Sequence, residues 1–282
     1  MASFKIGAIS FLNTKPLIRG LETGECGEHT LVYDSPSALA DKLRHGELDA
    51  ALIPSVELFR GVGEEIVPGL CIASEGPADS IRLLSKKPLS ELNTVYVDQG
   101  SRSSVAMLRL LLERSYQVTP DFHIYEPNPE DPLRGPTGDS VDAGLLIGDT
   151  AMKAEAGELP FDVDLGDWWQ KTFHHPFVYA VWALRSGNPE LQEILQDSFL
   201  AGQKAMDTIC EEAALSMGLP LQEVRDYLGE RIHFELDLPR LEGLRLFHRL
   251  CQEDHLAPLR ASVSAMLENL GAAPRAVAAP AL

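Results

Sequence analysis

The chain reads as an α/β protein built from two similar lobes that face each other across a cleft, and three observations predict this. Residues 46–55 (Gly-Glu-Leu-Asp-Ala-Ala-Leu-Ile-Pro-Ser) and residues 140–149 (Ser-Val-Asp-Ala-Gly-Leu-Leu-Ile-Gly-Asp) each run from an acidic residue through a short apolar strand into a polar loop. Such runs, bounded by turn residues, fit strands covered on both faces, as in parallel sheets. Strand and helix signals alternate around both segments, an order that implies parallel strands with right-handed crossovers. The length of 282 residues at 45% hydrophobic content suits two cores, since single cores stop growing at roughly 250 to 300 residues. Two unrelated strands with similar starts are the alternative to a repeat.

Taken in order, residues 5–10 predict the first strand, followed by a loop and a helix near Pro16 carrying Leu17, Ile18 and Leu21. Residues 29–33 predict a second strand. Ser35 then suits an N-cap with Pro36 at the first helical position, Leu39 and Leu43 share a face, and Gly46 ends the helix. Residues 50–53 form the third strand.

Residues 80–85 predict a crossing strand, and residues 86–92 a linker into the second lobe, whose sheet starts at residues 94–97. A helix over 102–114 has Val105, Leu108 and Leu112 on one face. Strands over 122–125 and 143–147 flank the Pro-, Gly- and Asp-rich residues 126–139, the most loop-like stretch. The apolar run 177–184 returns the chain to the first lobe. Pro189 opens a long helix that includes Ala205 and Ile209, while Pro220 and Pro239 open two more, the first stopped by Gly229. Lobe 1 is thus expected over 1–86 and 180–282, lobe 2 over 87–179, with 271–282 as a disordered tail.

The 42 Asp and Glu against 24 Lys and Arg give a formal charge of −18, which argues against nucleic acid as a partner, because phosphates need a basic face. An anionic ligand would need local donors against that field. Residues 1–5 lead straight into a strand with no export signal, so the expected location is the cytoplasm. No run of about eighteen apolar residues spans a membrane. Cys26, Cys71, Cys210 and Cys251 are scattered, without disulfide or zinc spacing, and no His and carboxylate constellation calls for a metal. No cofactor is expected.

Ligands of α/β sheets bind beyond the carboxyl ends of the strands, where Ser55 and Asp149 fall. The loop after the first strand offers Ser10, Asn13, Thr14 and Lys15, donors suited to an anion at a helix start; capping by Asn13 or Thr14 alone is the plainer reading. Gly100 opens a strand-to-helix turn bearing Ser101, Arg102, Ser103 and Ser104. Three hydroxyls and a guanidinium exceed the demand of one cap, and Arg102 could grip a carboxylate bidentately or point to solvent. The nucleotide loops Gly-x-Gly-x-x-Gly and Gly-x-x-x-x-Gly-Lys are missing from this turn.

Six stretches in register, residues 10–17, 46–57, 101–105, 147–149, 164–168 and 176–182, resemble the chorismate dehydratases of the futalosine route to menaquinone. The resemblance covers about the first 185 residues. It implies the type II periplasmic-binding-protein fold, with mixed sheets flanked by helices and a double-crossover hinge, used as an enzyme. The implied substrate is the small dianion chorismate, which loses water to give 3-[(1-carboxyvinyl)oxy]benzoate. It also implies Asn13 and Ser80 as the catalytic pair; read alone, Ser80 suits a strand-end hydroxyl. Ser10, Thr14, Lys15, Ser55, Ser101, Arg102, Ser103, Ser104, Gly148 and Asp149 are the expected substrate-binding residues. Ser103 stands where Thr is commoner in the family, and His174-His175 replace a small-residue turn.

The general base is open at this stage between Asp149, the pair His174 and His175, and the enolpyruvyl carboxylate of the substrate itself, which is favoured. Two other functions stay in view. One is a non-catalytic solute-binding protein for a small anion. The other is the sister enzyme 1,4-dihydroxy-6-naphthoate synthase, acting on cyclic dehypoxanthine futalosine.

Overall fold

A computed structural model describes residues 3–254, 256, 260 and 262–270. The tail expected over 271–282 lies outside the described residues. The elements run β1 (Lys5–Ala8), α1 (Lys15–Glu22), β2 (Thr30–Tyr33), α2 (Pro36–Arg44), β3 (Ala50–Pro54), α3 (Ser55–Phe59), β4 (Glu65–Ser74), β5 (Ile81–Ser85), β6 (Thr94–Asp98), α4 (Ser103–Tyr116), β7 (Asp121–Tyr125), β8 (Ala143–Ile147), α5 (Gly148–Lys153), β9 (Phe161–Asp164), α6 (Leu165–Phe173), β10 (Phe177–Leu184), α7 (Pro189–Lys204), α8 (Met206–Met217), α9 (Leu221–Asp226), β11 (Ile232–Glu235), α10 (Leu238–Glu253) and α11 (Ser262–Leu270).

The strands form two mixed sheets, ordered β11-β4-β10-β3-β1-β2 and β7-β6-β8-β5-β9. In each, the first strand of the lobe, β1 or β6, runs parallel to its two neighbours, β2 and β3 or β7 and β8. An antiparallel strand closes on the third: β10 on β3, and β5 on β8. The repeated segments of the sequence are therefore equivalent strands, β3 and β8, both buried throughout. Their unbroken apolar character follows from cover on both faces.

The chain crosses between sheets twice, over residues 75–80 and 174–176. The expected boundaries at 86/87 and 179/180 therefore shift: β5, assigned to lobe 1 by sequence, pairs in the second sheet with β8 and β9, and Phe177 to Tyr179 pair in the first. Hydrogen bonding decides membership, and the apolar pattern of residues 81–85 suits either sheet. Asp164 binds the first crossover to the second sheet: its carboxylate accepts from the N–H groups of Ala78, Asp79 and Asp167. Gly166 fits against this crossing because a Cβ there would lie 2.5 Å from the Gly76 carbonyl oxygen.

The C-terminal helices cover the first sheet, α7 against α1 and β4, and α10 against β10. The long helix expected from Pro189 through Ile209 is broken at Ala205 into α7 and α8. Gly229 is no helix stop; it lies inside a π-helical turn over Tyr227–Arg231 that follows α9 directly.

Candidate active site

The lobes meet at the carboxyl ends of their parallel strands, and the contacts cross over in pairs. The loop after β1 meets the end of β8: the Leu12 N–H donates to Asp149 Oδ1 at 2.8 Å. The end of β3 meets the loop after β6: the Ser55 and Ser103 hydroxyls lie 3.2 Å apart, and the Val56 N–H reaches Ser103 Oγ at 3.3 Å. Ser55 also donates to the Val178 carbonyl at 2.7 Å. Gly148 permits the first of these contacts, since its φ is +58° and a Cβ there would lie 2.7 Å from the Phe11 ring. Its N–H donates to the Ser80 carbonyl at 2.8 Å.

Asn13 and Ser80 come together through a third residue. Asn13 Nδ2 donates to the Tyr227 hydroxyl at 3.0 Å, and that hydroxyl donates to Ser80 Oγ at 2.9 Å. All three side chains are buried, with 8%, 1% and 2% exposure for Asn13, Ser80 and Tyr227. Burial pushes the Tyr227 phenol well above its ordinary pKa, so it stays a neutral donor. The sequence signalled nothing of this role: Val224, Tyr227 and Leu228 share a helical spacing that reads as core.

Ser103 and Ser104 are buried in the first turn of α4. The Thr14 and Ser101 hydroxyls are buried without a hydrogen-bond partner, and such groups are expensive in a folded chain unless something else satisfies them. They follow the first strands of the two lobes and flank the seam. Ser10 is exposed, and with Lys15, Arg19, Asp149 and Glu212 it lines a cavity of about 270 Å³ at the rim. Lys15 is ion-paired with Glu22 at 3.0 Å.

The Arg102 guanidinium is engaged by Asp41 at 2.8 Å and by Glu57 at 3.2 Å. Glu57, 1% exposed in its side chain, also binds Arg44 at 2.8 Å and Arg60 at 2.5 Å. A buried carboxylate in need of cations outcompetes a solvent-exposed use of Arg102. The turn over 101–104 thus reaches the other lobe with both the Ser103 hydroxyl and this ion-paired guanidinium.

Of the candidate bases, His174 caps the end of α6 in a left-handed conformation, and His175 bonds the Phe173 carbonyl in the same turn. Asp149 is at the seam, half-buried, its carboxyl held above the usual range by burial and opposed by the Leu12 N–H. Among the described residues no group of three or more His, Cys, Asp or Glu side chains is arranged to hold a metal ion, and no helix is long and apolar enough to cross a membrane.

Two mixed sheets in this strand order, joined by two crossovers with polar turns at the seam, define a periplasmic-binding-protein-like fold. Protein AF1704 from Archaeoglobus fulgidus matches with a TM-score of 0.72 at 17% identity, over 90% of this chain and 98% of that one. The periplasmic aliphatic sulphonate binding protein SsuA of Escherichia coli matches at 0.62 and 14% identity, over 99% and 95%. Within that fold the chain belongs to the menaquinone biosynthesis family, whose model matches residues 4–253. The chorismate dehydratase of Thermus thermophilus is 28% identical over 88% of this chain and 94% of its own. That of Campylobacter jejuni is 25% identical over 79% and 83%.

Proposed function

We propose that the chain is a chorismate dehydratase, a hydro-lyase that removes water from chorismate to give 3-[(1-carboxyvinyl)oxy]benzoate, and that it works in the cytoplasm. The observation that carries this reading is the buried chain Asn13–Tyr227–Ser80 at the interlobe seam. The relatives' activity supports it.

The substrate hydrogen on the ring carbon bearing the enolpyruvyl ether is conjugated through one double bond to the ring carboxylate. Its removal therefore pushes charge onto that carboxylate as a dienolate, and expulsion of the neighbouring hydroxyl with a proton completes an aromatic ring. The enzyme's task is to orient the substrate and to hold donors where charge collects. Asn13 and Ser80 are the donors for the oxygens that gain charge or leave. Thr14 and Ser101, each with an unsatisfied hydroxyl, supply donors for a carboxylate, together with the N-terminal N–H groups of α1 and α4. The enolpyruvyl carboxylate takes the proton, which fits a seam whose neutral donors include no His. Asp149, already accepting from Leu12, is the alternative base.

The test is chorismate turnover followed by the ultraviolet absorbance of the aromatic product. Wild-type protein should form product, and Asn13→Ala and Ser80→Ala should each lower kcat by about a hundredfold or more, the loss typical of one such donor. No product from a folded protein that still binds chorismate would favour a solute-binding role.

A further inference from the structure

The polarity of the Asn13–Tyr227–Ser80 chain assigns work to a residue beyond the six sequence stretches that resemble the chorismate dehydratases. A phenol has one proton. Tyr227 accepts from Asn13 and gives its own proton to Ser80, so the Ser80 hydroxyl receives a hydrogen bond on one side and keeps its own proton to donate. Among the described residues that proton has no acceptor. The Asn13 amide is fixed in rotation by the same phenol, leaving its carbonyl and second N–H to face away from Tyr227. A serine hydroxyl without such a partner rotates freely between donating and accepting.

The backbone at Tyr227 is also unusual. The residue opens a single π-helical turn, Tyr227–Arg231, placed directly after α9 and before β11. Such turns add a residue to the helical repeat and recur at functional sites. Here the turn delivers a fully buried ring from the C-terminal segment to side chains that follow β1 and precede β5.

We propose that Tyr227 is a positioning residue of the dehydration site, which orders Asn13 and turns the Ser80 hydroxyl into an obligate donor toward the substrate oxygen where charge collects. This rests on the dehydratase reading above. Tyr227 touches no reacting atom; it acts through its two neighbours.

The experiment is steady-state turnover of chorismate by wild type, Tyr227→Phe, Ser80→Ala and the double variant, each with its thermal unfolding midpoint. Tyr227→Phe should lower kcat by about tenfold to a hundredfold, the scale of losses from misplaced groups, with KM changed less than about threefold. In the Ser80→Ala background the same substitution should cost a smaller factor than in wild type, because one of its two targets is already gone. An equal factor in both backgrounds means that Tyr227 does not act on Ser80 and overturns the proposal, as does an unchanged kcat. If Tyr227→Phe does not fold, 3-fluorotyrosine at position 227 keeps the hydroxyl and makes it a stronger donor; kcat should then change by more than about twofold, and an identical kcat overturns the proposal. A wild type inert on chorismate overturns the dehydratase reading and this inference together. An active wild type matched by Tyr227→Phe overturns this inference alone.

Discussion

Asp98 ends β6 just before the hydroxyl-rich turn and accepts from the Gly100 N–H at 2.8 Å. Burial raises its pKa from 3.8 to about 6. At pH 4 to 6 the unfolded chain has already lost this proton while the folded chain keeps it, so stability falls as pH rises through that window. Below pH 4 both states are protonated and the penalty vanishes. A shift of this size corresponds to roughly 2 to 3 kcal/mol. Asp98→Asn should therefore raise stability at pH 7 by up to about that amount and flatten the unfolding profile between pH 4 and 6; urea titrations across pH measure it, and an unaltered slope would refute the assignment. Arg102 carries the opposite lesson, for its partners Asp41 and Glu57 lie on α2 and α3 of the other lobe. Sequence proximity to three serines could not reveal them.

Among the elements, those with a strong local signal were legible: the apolar β3, β8 and β10, and α2, whose Ser35 accepts from the Ala38 N–H as its capping pattern predicts. The strand β4 was not, because Pro68 and Gly69 interrupt its apolar run and both residues argue against a strand when met in sequence. Nor was the π-turn at Tyr227, since no residue pattern distinguishes it from the end of α9. Of the site, the turn over 101–104 stands out in sequence because three hydroxyls and a guanidinium exceed any capping need, whereas the pairing of such loops across the seam arises only when both lobes are folded. The ion cluster joining α2, α3 and α4 belongs to the same class of late-formed contacts. Arg102→Ala leaves Glu57 with Arg44 and Arg60, so it should destabilise by about 1 to 2 kcal/mol, below the usual cost of breaking a buried pair outright. Its kcat should fall less than about fivefold; a loss near a hundredfold would restore Arg102 to direct substrate contact.

For the molecule as a whole, the proposed site with Asn13, Ser80 and Tyr227 buried requires the lobes to part before substrate enters. The two sheets are tied by residues 75–80 and 174–176, and closure is sealed by the paired contacts Leu12 with Asp149 and Ser55 with Ser103. Hinge closure around a ligand is a standard repertoire of such two-lobed folds. Cysteines at positions 55 and 103, whose hydroxyls are now 3.2 Å apart, should form a disulfide on oxidation. The oxidised Ser55→Cys, Ser103→Cys variant should lose the turnover its own reduced form shows and recover it with reductant. Full activity in the oxidised state would show that no opening is needed.

A crystal structure of Ser80→Ala with chorismate bound would decide whether the seam is the place of reaction. The substrate ring should lie between the lobes, with Asn13 within hydrogen-bonding distance and a carboxylate on the hydroxyls of Thr14 and Ser101. Chorismate lodged outside the seam, beyond reach of Asn13, Thr14 and Ser101, would contradict that placement.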